Sequence, residues 1–184
     1  DLDSYENLQN FIQLVSDAGC HTFFIHARKA WLKGLSPRQN RETPPLKYEM
    51  VYAIKKDFPA LEIIINGGIT SLQQCRQHLQ QLDGVMLGRA ICHNPYLLAD
   101  VDREIFYQAG SNISRHDVLQ QYMEYIESQL AQGIYLNHMS RHILGLFQGQ
   151  HGARAYRRLL SEQACKPGAD VQVIKQAMQL VEAA

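Results

Sequence analysis

The strongest constraint on the fold is a set of three short apolar runs that alternate with helical patterns. Thr22-Phe23-Phe24-Ile25, Leu61 to Ile65 and Asp83 to Leu87 are each only a few residues long, and the second is rich in isoleucine. Continuous apolar runs of that length suit strands buried on both faces, as in parallel sheets. Between them lie segments with apolar residues at helical steps. Leu46, Met50, Ile54 and Phe58 mark a helix over 46–58 that Pro59 ends. Leu72, Cys75, Leu79 and Leu82 mark another, capped by Thr70 or Ser71. A first helix, over 4–17 with Ser4 as its cap, carries Leu8, Phe11, Ile12 and Val15 and stops at Gly19. A fourth is expected from Pro95 to about Gln108. Such alternation means βαβ units, a parallel sheet and right-handed crossovers. A doubly wound sheet and a barrel both satisfy it.

After Gly110 the pattern becomes all-helical. Residues 114–131, 136–148, 152–163 and 170–182 each read as a helix, with Ser114 and Asp117 in capping-box spacing and glycines between the segments. The expected division is therefore an α/β part over 1–109 and a helical part over 110–184. The 184 residues are too few for a complete (β/α)8 barrel, which takes about 250, plus a second domain. The chain also begins with Asp inside a helical pattern, so it reads as cut, with an upstream part missing.

Charge is balanced overall, 18 Lys plus Arg against 18 Asp plus Glu, but it is unevenly spread. No acid stands between Asp17 and Glu42, a stretch that contains Arg28, Lys29, Lys33, Arg38 and Arg41. None stands between Glu127 and Glu162, which enclose Arg141, Arg154, Arg157 and Arg158. A solvated face is the ordinary reading of one such run; two of them point toward a polyanion. No apolar stretch reaches the roughly 18 residues of a membrane span, and no signal peptide is evident. Cys20, Cys75, Cys92 and Cys165 form no C-x-x-C pair and read as reduced thiols of a cytoplasmic protein. His138 and His142 are spaced like metal ligands but lack a third partner, so no metal is expected.

Ligands of parallel α/β folds bind at the carboxyl ends of strands, and here all three ends are unusual. The first ends at His26, before the long basic segment from Ala27 to Pro45 with its Trp31. The second runs into Asn66-Gly67-Gly68 and the third into Gly88-Arg89, each ahead of a helix. Glycine turns before helices admit a phosphate, and an arginine adds a charge-assisted contact. A tight turn with no ligand is the competing account of Gly67 and Gly68. Cations interleaved with an aromatic suit nucleic acid or a phosphorylated small molecule. Arg154, Arg157 and Arg158 stand at i, i+3 and i+4, so one helix face is cationic.

Taken in order, these residues resemble the tRNA-dihydrouridine synthases, specifically their A subfamily. The likeness rests on His26-Ala27-Arg28-Lys29-Ala30-Trp31-Leu32, Gly34-Leu35-Ser36-Pro37, Asn40-Arg41-Glu42 and Pro44-Pro45-Leu46. It continues through Ile65 to Ile69, Asp83 to Arg89, Arg141 to Gly149 and Gly152-Ala153-Arg154 to Arg158. The chain departs from the family pattern at His151, where proline is usual, and at Tyr156, where tryptophan is usual.

The resemblance implies strands six to eight of a (β/α)8 TIM barrel that holds FMN, followed by a helical-bundle domain that grips tRNA. It implies an enzyme in which NADPH reduces the flavin and hydride passes to the C5–C6 double bond of a D-loop uridine. By match to the family motifs, His26, Asn66, Gly67, Gly68, Gly88 and Arg89 should contact FMN, and Arg38, Arg41, Arg154 and Arg157 should contact tRNA. The family's proton-donating cysteine belongs to an earlier barrel segment, and none of the four cysteines here takes its place. The isolated chain is expected to be inactive, with its outer strands as unpaired edges, and the full-length protein to be a monomer. Two alternatives remain open on the residues: another FMN barrel acting on a free pyrimidine, or a non-catalytic RNA-binding module.

Overall fold

The computed structural model describes residues 4–31, 34–109 and 113–181. Leu32, Lys33, Gly110 and Glu182, which enter the motif, the boundary and the last helix read from the sequence, lie outside the described residues. The chain divides into two compact units, Asp1–Leu87 and Gly88–Ala184.

In the first unit, α1 (Tyr5–Asp17) leads into β1 (Thr22–His26), followed by a one-turn helix, α2 (Pro37–Asn40), and by α3 (Tyr48–Asp57). Then come β2 (Glu62–Asn66), α4 (Leu72–Leu79) and β3 (Gly84–Met86). The three strands form one parallel sheet in the order β1-β2-β3. Ile63, Ile64 and Ile65 are buried in the central strand. Ser4 caps α1 as the periodicity predicts, and Ser71 rather than Thr70 caps α4. Gln74 explains that choice: its side chain accepts from the Ser71 backbone N–H while its own N–H donates to the Ser71 hydroxyl.

The flanking strands are not covered like the central one. Phe24 in the middle of β1 is 65% exposed, and Phe11 and Leu14 on α1 and Met86 on β3 are also open to solvent. Continuous apolarity in β1 therefore does not translate into burial on both faces in this unit. Such a small parallel sheet with helical connections is compatible with part of a barrel.

An ion pair ties α3 to the sheet. Lys55 Nζ lies 2.8 Å from Asp83 Oδ2, and the same carboxylate oxygen accepts from the Ile63 N–H at 2.8 Å. Partial burial pushes the Asp83 carboxyl up, but the Ile63 hydrogen bond and the Lys55 charge outweigh it, leaving the carboxyl below its ordinary value. A depressed folded-state value means that this stabilisation is complete above the unfolded pKa and is lost as pH falls through the folded one. Urea midpoints should therefore fall more for the wild type than for Asp83→Asn between neutral pH and about pH 3. Equal falls would show that the pair contributes nothing.

The second unit begins with α5 (Arg89–His93), a 3-10 segment (Pro95–Asp100) and α6 (Val101–Glu104). The continuous helix expected over 95–108 is thus broken, and Tyr107 adopts a φ of 53°. Four helices follow: α7 (Arg115–Ala131), α8 (Leu136–Ser140), α9 (Ala153–Gln163) and α10 (Val171–Met178). Ser114 and Asp117 form the expected capping box on α7. Leu119, Ile126, Leu136, Tyr156, Leu160 and Ile174 of these helices form a core with Phe147 from the connection between α8 and α9.

Compactness thus divides the chain at 87/88, whereas periodicity changes at 109/110. The segment between belongs with the helices because Tyr96 packs on their core, its hydroxyl donates to Ile113 O, and Arg115 stacks over its ring at 3.9 Å. The helix expected over 136–148 also stops early, at Ser140. Residues 141–149 continue as tight turns, with i→i−3 bonds such as Ile143 N–H to Ser140 O and Leu146 N–H to Ile143 O. Within these turns Gly145 packs its backbone against a distant carbonyl, since a Cβ there would lie 2.1 Å from His93 O.

Candidate functional site

Two groups of candidate residues fall in the first unit. His26 and Asn66 are register partners at the carboxyl ends of β1 and β2. The Ala27 N–H donates to Asn66 O at 2.8 Å, and the Tyr48 hydroxyl donates to Gly67 O at 2.7 Å. The His26 ring is close enough that a Cβ on Gly67 would meet its Cε1 at 3.4 Å. The strand ends thus bring His26, Asn66 and Gly67 together, with His26 and Gly68 exposed.

The glycine pair has a structural cause of its own. Gly67 and Gly68 have φ of 121° and 70°, and a Cβ on Gly68 would sit 2.7 Å from Leu46 Cδ1. Positive φ at both positions therefore favours glycine whether or not a ligand approaches, and a larger residue at 68 would also displace the Leu46 methyl. Gly88 differs: it precedes α5 with nothing within 4 Å of its Cβ position. Its side is open, as close approach of another molecule would need. Arg89 opens α5 and is exposed. Both belong to the second unit.

The basic segment after His26 is built rather than slack. Ser36, Pro37 and Gln39 make a complete capping box for α2, with proline at the first helical turn. Asn40 clasps Trp31 from both sides, accepting from its N–H at 2.7 Å and donating to its carbonyl at 2.9 Å. Arg28 Nη1 donates to the carbonyls of Glu42 and Pro44, closing the segment at its base. Arg28 Nε is buried with no hydrogen-bond partner. Arg38 and Arg41 stand exposed on this framework, Arg38 in a loose 3.9 Å pair with Glu42. Sequence reasoning assigned Arg28 no role and missed the one-turn helix, although Ser36-Pro37-x-Gln39 is a legible capping signal.

The remaining candidates lie on α9. Ala153, Tyr156 and Leu160 are buried, and Arg154 and Arg158 are exposed, as the spacing predicts. Arg157 is half-buried and donates to Gln148 Oε1 at 3.3 Å; Arg158 pairs loosely with Glu162 at 3.8 Å. Arg154 stands in the first turn, which contains no acid. A cation there is repelled by the positive end of the helix dipole, at a cost of about 0.3–1 kcal/mol. Folding alone does not favour it. Tyr156 is completely buried, its hydroxyl donates to Ile143 O, and burial pushes its pKa upward. Arg141 lies on the turn after α8, where its Nε donates to His142 Nε2.

The thiols are free, with Cys75 buried, Cys20 half-buried, and Cys92 and Cys165 exposed. Burial raises the Cys75 pKa, which makes it a poorer acid. Among the described residues no three His, Cys, Asp or Glu side chains gather as metal ligands, and no helix is long and apolar enough to cross a membrane.

The family model described as dihydrouridine synthase matches residues 1–182. The chain is 56% identical to a tRNA-dihydrouridine(20/20a) synthase of Shewanella oneidensis over 98% of its own length and 54% of the relative's. Counterparts bearing the same name from Vibrio vulnificus and Escherichia coli K12 are 54% and 55% identical. These alignments cover 97% and 98% of this chain, and 55% and 53% of those proteins. The chain spans about half the length of the curated relatives it matches.

Proposed function

Because the chain belongs to the dihydrouridine synthase family, a group of tRNA-modifying oxidoreductases, we propose that it forms part of an FMN-dependent tRNA-dihydrouridine synthase. The substrate is the D-loop of tRNA, at uridines 20 and 20a as in the names of its relatives, and NADPH is the reductant. The protein acts as a monomer in the cytoplasm. In this reading residues 1–109 correspond in sequence to the part of a TIM barrel that holds strands six to eight, although 88–109 pack with the helical unit, and residues 110–184 correspond to a helical domain that holds tRNA.

The observation that carries the reading is the register pairing of His26 with Asn66 at the carboxyl ends of parallel strands, beside the Gly67 turn. Donor chemistry there fits FMN. An imidazole, a carboxamide and a buried Arg28 Nε without a partner all suit a ligand rich in carbonyl and phosphate oxygens. FMN contacts are assigned to His26, Asn66, Gly67 and Gly68 and, by match to the family motif alone, to Gly88 and Arg89. Bound flavin supplies the hydride chemistry that saturates the uracil C5–C6 bond. Arg38, Arg41, Arg154 and Arg157 contact tRNA phosphates and set where the strand lies. None of the four cysteines matches the family's proton donor, so this chain by itself reduces no uridine.

The test uses the full-length protein that carries this chain. Reconstituted with FMN, it is expected to stay yellow through dialysis and to form dihydrouridine in unmodified tRNA when NADPH is supplied. Arg89→Ala should release a larger share of FMN under the same dialysis. A colourless protein that FMN cannot reconstitute would overturn the flavin reading, and full FMN retention by Arg89→Ala would remove that residue's role.

A further inference from the structure

The end of α9 opposite its first-turn arginine borders a cavity of about 290 Å³. Leu130, Ile134 and Tyr135 supply apolar and aromatic wall, and His138, Cys165 and Lys166 supply the polar rim. Not one lining residue is a carboxylate. Tyr135 is 69% exposed, and His138 meets its ring edge-to-face at 6.0 Å between centroids. An aromatic surface left this open has no evident role in folding.

Position along α9 connects this cavity to the arginines. Arg154, Arg158, Ser161 and Cys165 follow at i, i+4, i+7 and i+11, which places them along one side of the helix. Cys165 follows the Ala164 C-cap of α9, and its thiol lies 3.8 Å from Ser161 O and 3.7 Å from Glu162 O, one turn back. With about 1.5 Å rise per residue, Arg154 and Cys165 are separated by roughly 16 Å along the axis. That distance spans a few nucleotides of an extended strand. Glu162 stands beside this track, but it is engaged by Arg158.

We propose that this cavity receives an unstacked nucleobase of the tRNA strand whose phosphates run along the α9 arginines. This inference rests on the tRNA reading above. The base stacks on Tyr135, the apolar wall of Leu130 and Ile134 covers its far edge, and Lys166 meets the adjoining phosphate. Such stacking tolerates any base, because every base presents a π-face. A small cavity with one aromatic wall and no carboxylate fits a base on a polyanionic strand better than it fits a peptide.

The test is a filter-binding titration of unmodified tRNA against the full-length protein carrying this chain, repeated over a range of salt. Tyr135→Ala is expected to weaken binding about 5- to 100-fold without changing the salt slope, since stacking releases no counterions. Tyr135→Phe keeps the ring and should bind as the wild type does. Lys166→Ala should weaken binding and lower the slope by about one. Saturating tRNA should also slow alkylation of the exposed Cys165, read by peptide mass.

Tyr135 caps α8 without a side-chain hydrogen bond, so its loss should not unfold the unit. Wild-type affinity in Tyr135→Ala, while Arg154→Ala with Arg157→Ala binds weakly, would overturn the base pocket and leave the tRNA reading standing. If none of these variants changes affinity, the tRNA reading fails and the pocket falls with it. Alkylation of Cys165 unaffected by bound tRNA would also refute the pocket.

Discussion

Gly152→Ala is expected to destabilise the helical unit by at least about 3–4 kcal/mol, at the upper end of what single substitutions do. Gly152 precedes α9 with a φ of 75° and a left-handed conformation. Placing an L-residue there costs about 1–2 kcal/mol by itself. The larger part is steric, because an alanine Cβ would lie 1.7 Å from Leu180 O and 2.8 Å from its carbonyl carbon. Backbone cannot swing away as a side chain can. The chain after α10 must move, taking buried Val181 with it. Gly133→Ala is the control: its φ is 83°, but nothing lies within 4 Å of its Cβ position, so it should cost only about 1–2 kcal/mol. Denaturant titrations of the two variants should therefore differ clearly. Equal losses would mean that the contact between Gly152 and Leu180 is not tight in solution.

The second large effect concerns tRNA. Arg154→Ala combined with Arg157→Ala should weaken tRNA binding about 100-fold or more, taking roughly 1.5–3 kcal/mol for each charged hydrogen bond. The slope of log affinity against log salt should flatten by about 1.5–2, since two phosphate contacts release their counterions no longer. Stability should hardly change. Arg154 opposes the helix dipole and its removal is neutral or mildly favourable, whereas Arg157 loses only an exposed 3.3 Å bond to Gln148. Affinity would thus fall while the denaturation midpoint stays in place. Unchanged affinity and slope would remove both arginines from the interface.

Those two expectations show which parts of the site were legible from residues alone. The cationic face of α9 was readable because i, i+3 and i+4 share a helix face whatever the helix packs against. The alternation of strands and helices was readable for a similar reason, and the sheet is parallel as expected. Glycine identity was more ambiguous. The same Gly67-Gly68 letters serve a phosphate approach or a tight turn, and only the positions of Leu46 and His26 reveal the packing demand. Gly145 and Gly152 gave no local signal, since their need arises from carbonyls far along the chain, those of His93 and Leu180.

By itself, the sequence determined the alternation of strands with the longer helices, several of their caps and the charged face of α9. Each depends on interactions within a few residues: a serine accepting from the third residue onward, or apolar side chains recurring once per turn. Tertiary structure decided where those elements stop and what their ends touch. Tertiary packing places Tyr96, ahead of α7, on the helical core, and a distant carbonyl pair recruits Arg28 to close the basic loop. Periodicity cannot register such contacts, because their free energy depends on groups brought together only when the chain has folded.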